Sequence, residues 1–171
     1  MQKMTSAYAS KLLKSLEEEK AFWIKKEEES NTYVAAVNEK PTIPEYDYEK
    51  VATEIDKIDV KIMKIKHALN AANVTGKILI GDTWMTIDQV LVRMAQLNKR
   101  KAVLDTMRKR LPKARETQVA FASRNSVPEY RYINYDLDVV KKDYERVSDE
   151  IMKMQMALDR YNQTEVFDVE I

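Results

Sequence analysis

The stretch "IMKIKHALNAANVTGKILI" at residues 62–80 has a counterpart 89 positions later, "IMKMQMALDRYNQTEVFDV" at 151–169. Ile62/Ile151, Met63/Met152, Lys64/Lys153, Ala68/Ala157, Leu69/Leu158, Asn73/Asn162 and Thr75/Thr164 are identical between them. Upstream, the apolar positions keep one register: Val51, Ile55, Ile58, Ile62, Ile65, Leu69 and Ala72 against Val140, Tyr144, Val147, Ile151, Met154, Leu158 and Tyr161. Both series advance by alternating steps of four and three residues, the spacing of a seam on one helix face. Matching seams followed by matching tails predict an internal duplication.

The helix ahead of each seam aligns as well, at an offset of 81. "MTSAYASKLLKSLEEEKAFW" (4–23) falls on "MTIDQVLVRMAQLNKRKAVL" (85–104). Its seam runs Ala9, Leu13, Leu16, Lys20, Trp23 in one half and Val90, Met94, Leu97, Lys101, Leu104 in the other. The pattern predicts a mainly α protein: two tandem long helical hairpins forming an antiparallel four-helix or coiled-coil bundle, with a small β element at one end. One domain of two repeats, about 4–80 and 85–169, is expected.

Between the helices stand "IPEYDY" (43–48) and "VPEYRY" (127–132). Proline lacks an N–H and disfavours helix in the residue before it, so Pro41, Pro44 and Pro128 enforce the reversal. The Glu-Tyr-x-Tyr that follows is expected to run extended into the second helix with its rings over the hairpin end; a ligand-binding role for the tyrosines is the alternative. Residues 5–39 predict a helix of roughly 50 Å, and 48–72 one of roughly 38 Å. A helix over 86–111 is kinked or ended by Pro112, with "KARETQVAFAS" (113–123) able to resume it. Thr86 and Gln89 have capping-box spacing. "KILIGDTWMT" reads as a short hairpin turning at Gly81-Asp82, while "YRYI" and the tail "TEVFDVEI" read as extended.

Composition narrows the function classes. With 33% charged residues, only two glycines and a net charge of +1, the chain leans towards long helices, and its global charge steers it to neither nucleic acid nor membrane. The absence of cysteine removes disulfides, zinc–thiolate sites and thiol catalysis. The opening residues lack the apolar core of a signal peptide, and no window approaches ~18 uncharged apolar residues, so a cytoplasmic protein without a transmembrane segment is expected. His67 is the only histidine, and the second half carries Met156 in its place. Metal or acid–base work on a bundle recruits several inward His or Glu residues, so His67 is read as a surface or packing residue. No phosphate-loop pattern occurs. Neither enzyme activity nor a cofactor is expected.

What remains is surface. Phe22, Trp23 and Ile24 are consecutive large apolar residues inside "EEEKAFWIKKEEE" and point in three directions, so one seam cannot hold them all. A second copy of the chain is the expected cover, which makes the protein a homo-oligomer. At seam positions, Lys20 matches Lys101 and Glu27 matches Arg108; a Glu27–Arg108 pair between the halves is expected to fix register. "KRKAVLDTMRKRLPKAR" carries eight basic residues against one acid. It offers Lys99, Arg100, Lys101, Arg108, Lys109 and Arg110 to nucleic acid or an anionic membrane, but the glutamates of the other half are its natural complement. Asn73-Val74-Thr75 and Asn162-Gln163-Thr164 spell glycosylation sequons, here read as helix-ending asparagines in left-handed caps.

The segment "ALNAANVTGKILIGDTWMTIDQVLVRMAQLNKRKAVLDTM" and the ending "LDVVKKDYERVSDEIMKMQMALDRYNQTEVFDVEI" resemble the bacterial septicolysin-like family of small helical proteins. That family shows a helix ending in an Asn-x-x-Thr-type cap, a turn, Thr-Leu-Thr leading the next helix, and a similar Asn-Thr ending. The likeness covers 48–110 and 136–171 most clearly. Gly81-Asp82 stands where the family more often has Asp-Gly, and Trp84-Met85 replaces the usual aliphatic. The resemblance implies a helical, oligomeric bacterial or phage-type protein. The family's name suggests a membrane-acting cytolysin, and no catalytic or binding residue is carried over from it.

Overall fold

The computed structural model describes residues 1–116 and 128–171. These residues are mainly helical with short antiparallel strands, in the order β1 (Gln2–Thr5), α1 (Ser6–Ser30), α2 (Tyr48–Thr75), β2 (Lys77–Ile80), β3 (Thr83–Thr86), α3 (Ile87–Arg108), β4 (Lys113–Arg115), β5 (Tyr130–Tyr132), α4 (Leu137–Thr164) and β6 (Val166–Val169). They divide into two compact units, Met1–Ile78 with Leu158–Ile171, and Leu79–Ala157.

In the first unit, Thr5 caps α1 by accepting from the Tyr8 amide at 3.2 Å, and Asp47 caps α2 by accepting from the Lys50 amide at 3.1 Å. Such caps satisfy amides that the first helical turn cannot. α1 and α2 run antiparallel: Glu17 pairs with Lys66 at 3.2 Å and Lys20 with Asp59 at 2.7 Å. Ala9 and Leu16 of α1 meet Ile58, Ile62 and Ile65 of α2 in one buried cluster. Full burial of an isoleucine is worth about 1.5–3 kcal/mol, so this cluster carries the pair. β6 lies antiparallel to β1, with Gln2 opposite Val169 and Thr5 opposite Val166. The pleat turns Met4 and Val169 into the same cluster. That pairing places the last strand with the first helix pair.

In the second unit, α3 and α4 are also antiparallel, joined by Arg93–Glu150 at 2.9 Å and Arg100–Asp143 at 3.6 Å. Ile87, Val90, Leu97 and Leu104 of α3 and Val140, Val147 and Met154 of α4 are buried. Gln89 reaches back to the Thr86 amide at 3.0 Å, completing a capping box. β2 and β3 pair across Gly81-Asp82. Gly81 has φ +61° and Asp82 a negative φ, the order of a type II′ hairpin turn, so glycine is needed at this first position.

Three details depart from the sequence reading. α1 ends at Ser30 instead of 39, making it roughly 37 Å long. Beyond Asn31, whose amide makes the last helical bond to Glu27 at 3.0 Å, come the β-branched Thr32, Val34 and Val37, poor helix formers that approach two prolines. α3 stops at Arg108, and residues 113–115 form β4 rather than resumed helix; 117–123 lie outside the described residues. Leu111 precedes proline and is therefore disfavoured in a helix.

The asparagine caps are also corrected. Asn73 and Asn162 lie inside α2 and α4, and among the described residues none but glycine has a positive φ. The Thr75 and Thr164 hydroxyls instead donate to the Ala71 and Arg160 carbonyls, both at 2.9 Å. These bonds occupy last-turn carbonyls and carry each helix to its threonine.

The two hexapeptides take different places. In the first, Asp47 caps α2 and Tyr48 begins it. In the second, Tyr130–Tyr132 is β5, antiparallel to β4, and Val127 lies outside the described residues. The position that matches Asp47 at the helices' own offset of 89 is Asp136, which accepts from the amides of Asp138 at 2.8 Å and Val139 at 3.2 Å. "EYDY" therefore corresponds to "NYDL" in position, and the likeness to "EYRY" is out of step with the helices.

Candidate functional site

The residues singled out for interaction fall on α1 and α3. In the first unit, Trp23 is half-buried against the α1–α2 cluster, while Phe22 remains 61% exposed and Ile24 36%. Phe22 meets Trp23 edge-to-face, with ring centroids 5.5 Å apart, and the Lys26 ammonium stands 5.6 Å from the Trp23 ring centre. The seam thus accepts one of the three apolar side chains and leaves its neighbours outside.

Glu27 accepts a hydrogen bond from the Tyr46 hydroxyl at 3.0 Å. Burial, followed by this bond to a carboxylate, raises the Tyr46 pKa above its ordinary value. Lys20, one turn earlier, binds both oxygens of Asp59 at 2.7 and 2.9 Å. A pair this accessible is worth no more than about 1 kcal/mol; its effect is to satisfy a seam lysine and hold register.

In the second unit, Lys101 and Arg108 converge on one ring. Their cationic centres lie 5.5 and 4.1 Å from the centre of Tyr144. Arg108 also bonds Asp105 at 2.9 Å, and Lys109 binds the other oxygen of the same carboxylate. Hydrogen bonds from Lys109 and then Arg108 lower the Asp105 pKa. Glu27 and Arg108 each have such partners within their own unit.

Sequence reasoning missed those partners: Asp59, Tyr46 and Tyr144. For Asp59 and Tyr144 a signal existed, because a polar seam residue needs a polar or aromatic group at its own level on the antiparallel helix, and counting down α2 or α4 reaches them; Tyr46 lies ahead of α2. Tyr135, the counterpart of Tyr46 at offset 89, donates to the Met107 carbonyl at 2.7 Å. Each unit therefore has a tyrosine just before its second helix tied back to the end of its first. Of the other motif tyrosines, Tyr48 is exposed, and Tyr130 and Tyr132 flank Lys113, whose ammonium lies 4.2 and 5.5 Å from their rings.

Much of the basic stretch is engaged inside the second unit: Arg100 with Asp143, Arg108 and Lys109 with Asp105. Lys99 and Arg110 have no ion pair among the described residues. His67 is exposed on the rim of a cleft of about 540 Å³ in the first unit, floored by Ala68, Ala72 and Phe167 and edged by Lys64, Asp168 and Glu170. Among the described residues no three His, Cys, Asp or Glu side chains are grouped to hold a metal, and no helix is long and apolar enough to cross a membrane.

No family model matches the chain, and no curated protein matches it. A solved structure of a functionally unknown conserved protein from Corynebacterium diphtheriae is similar, with a TM-score of 0.68 at 14% sequence identity over 98% of this chain and 100% of that one. A likeness at that identity is one of fold.

Proposed function

We propose that this chain is a non-enzymatic, cytoplasmic, self-assembling helical protein, an internally duplicated scaffold or interaction module whose leftover apolar helix surface is covered by further copies of itself. The observation that carries this reading is the exposure of Phe22 and Ile24 beside a Trp23 already seated in a complete α1–α2 core. Aromatic anchors set among charged residues are the usual centre of a protein–protein contact. The basic stretch favours the reading over a nucleic-acid one, because Asp105 and Asp143 already occupy three of its six central cations. The septicolysin-like resemblance fits a helical oligomer equally well.

Light scattering on the purified chain tests the proposal. Particles of at least twice the chain mass are expected, and Phe22→Ser with Ile24→Ser should return them to monomers with unchanged helical circular dichroism. A wild-type monomer at every concentration, or an assembly indifferent to both substitutions, would remove the basis for it. Steep salt-dependent binding of a DNA or RNA duplex by a monomer would replace it with nucleic-acid recognition.

A further inference from the structure

The ends of α1 and α3 carry the same pattern with its charges reversed. At the offset of 81, Glu18, Glu19, Glu27, Glu28 and Glu29 correspond to Lys99, Arg100, Arg108, Lys109 and Arg110. Residues 17–29 hold six glutamates and three lysines, and residues 98–110 hold six basic residues and one aspartate. The reversal reaches the side of each helix that faces away from its own seam. On α1 that side presents Glu18, Phe22 and Glu29; on α3 it presents Lys99 and Val103, and Arg110 follows two residues past the helix end. All six are exposed, Phe22 at 61% and Val103 at 52%.

The two stripes share an order along the chain, an apolar residue four positions after one charge and seven before another. On α1 the two charges stand roughly 16 Å apart along the helix. Glu18 and Glu29 pair with Lys14 and Lys25 of their own helix, at 3.9 and 3.6 Å. Pairs of this kind contribute a few tenths of a kcal/mol and are readily exchanged. On α3 the corresponding places are taken by Ala95 and Thr106, and Lys99 and Arg110 have no ion pair among the described residues.

Resting on the self-assembly reading above, we infer that copies join through unlike stripes, the Glu18–Phe22–Glu29 stripe of one docking on the Lys99–Val103–Arg110 stripe of another. The shared order sets Glu18 against Lys99, Phe22 against Val103 and Glu29 against Arg110. The occupant is a second copy because both halves of the match lie on this one chain. Each copy carries one stripe of each kind, so two copies satisfy both stripes when they pair reciprocally about a two-fold, and more copies do so in a ring. The charges choose partner and register, and Phe22 against Val103 supplies the apolar contact.

Three variants test this by light scattering at low salt, with circular dichroism to confirm that the helices persist. Glu18→Lys/Glu29→Lys has two basic stripes and Lys99→Glu/Arg110→Glu two acidic ones, so each alone should drop to the mass of a single chain. Their equimolar mixture should assemble, as should the chain bearing all four substitutions, in which the match is restored with its signs exchanged. Added salt should weaken every assembling sample, because surface charges are screened beyond about 8 Å at physiological ionic strength. If either two-substitution variant keeps the wild-type mass, or the mixture stays monomeric, the joint is wrong while self-assembly stands. A wild-type chain that is itself monomeric overturns both.

Discussion

The two helix pairs share a seam and differ in what they place around it. Ile58 and Val147, Ile65 and Met154, Leu16 and Leu97 are matching positions, and all six are buried. At the polar seam positions the solutions diverge. Lys20 takes a carboxylate from Asp59, whereas Lys101 lies over the ring of Tyr144; Glu27 takes the Tyr46 hydroxyl, whereas Arg108 stacks on that same Tyr144. A buried apolar seam tolerates little change, because each lost methylene leaves a void that neighbours only partly fill. A rim residue has only to find one compatible partner. Charge can therefore be rewritten from one pair to the other while the core stays in register.

The sharpest way to break this equivalence is at the seam. Ile65 and Met154 are 0% and 3% exposed, and Ile65→Ala and Met154→Ala should each cost about 2–5 kcal/mol in urea unfolding. A cost below about 1 kcal/mol for one of them alone would show that the two seams do unlike work. The next largest effect is asymmetric by design. A Cβ on Gly76 would stand 1.9 Å from the Tyr161 hydroxyl oxygen and 2.9 Å from the Ala72 carbonyl. Gly76→Ala should therefore destabilise by about 1–3 kcal/mol through overpacking. Its counterpart at offset 89 is the exposed Glu165, where Glu165→Ala should be nearly silent. Comparable losses at the two sites would erase the distinction.

These contrasts show what the sequence carried and what it did not. Seam positions, the turn at Gly81-Asp82 and the Thr86–Gln89 cap were legible because each rests on residues within a turn of one another. The end of α1 was not, because the seam's spacing extends past Ser30 while the backbone preference of Thr32, Val34 and Val37 ends the helix first. The hexapeptide likeness misled for a related reason: Pro-Glu-Tyr specifies an extended entry, and the distance from it to the helix cap is set by β5, which pairs with a strand fifteen residues or more away. At the candidate surface, exposure of Phe22 and Ile24 was readable from three consecutive apolar residues on one helix. The partner of Glu27 was not, since Tyr46 lies in the stretch ahead of α2, outside the register of the helices.

The smallest expected effects are those of pH, and they separate the units by flank. Bonds from Lys109 and Arg108 lower the Asp105 pKa, and those from Arg146 and Arg100 lower that of Asp143, both in the second unit; in the first, Lys57 does the same for Glu54. A carboxyl with a depressed folded pKa stabilises above its ordinary value, 3.8 for aspartate, and that contribution is lost as the pH falls through the depressed one. The raised tyrosine values belong to the first unit: Tyr46 through burial and Glu27, Tyr161 through burial and Glu165. A tyrosine held neutral in the fold stabilises below its ordinary value of 10.0, and the contribution disappears as the pH rises through the raised one. In melts across the pH range, Asp105→Asn/Asp143→Asn should flatten the acid limb and leave the alkaline limb in place. Tyr46→Phe/Tyr161→Phe should do the reverse. If either pair of substitutions flattened both limbs, the polar groups around the two seams would be coupled across the units, and the rim would be no freer to change than the core.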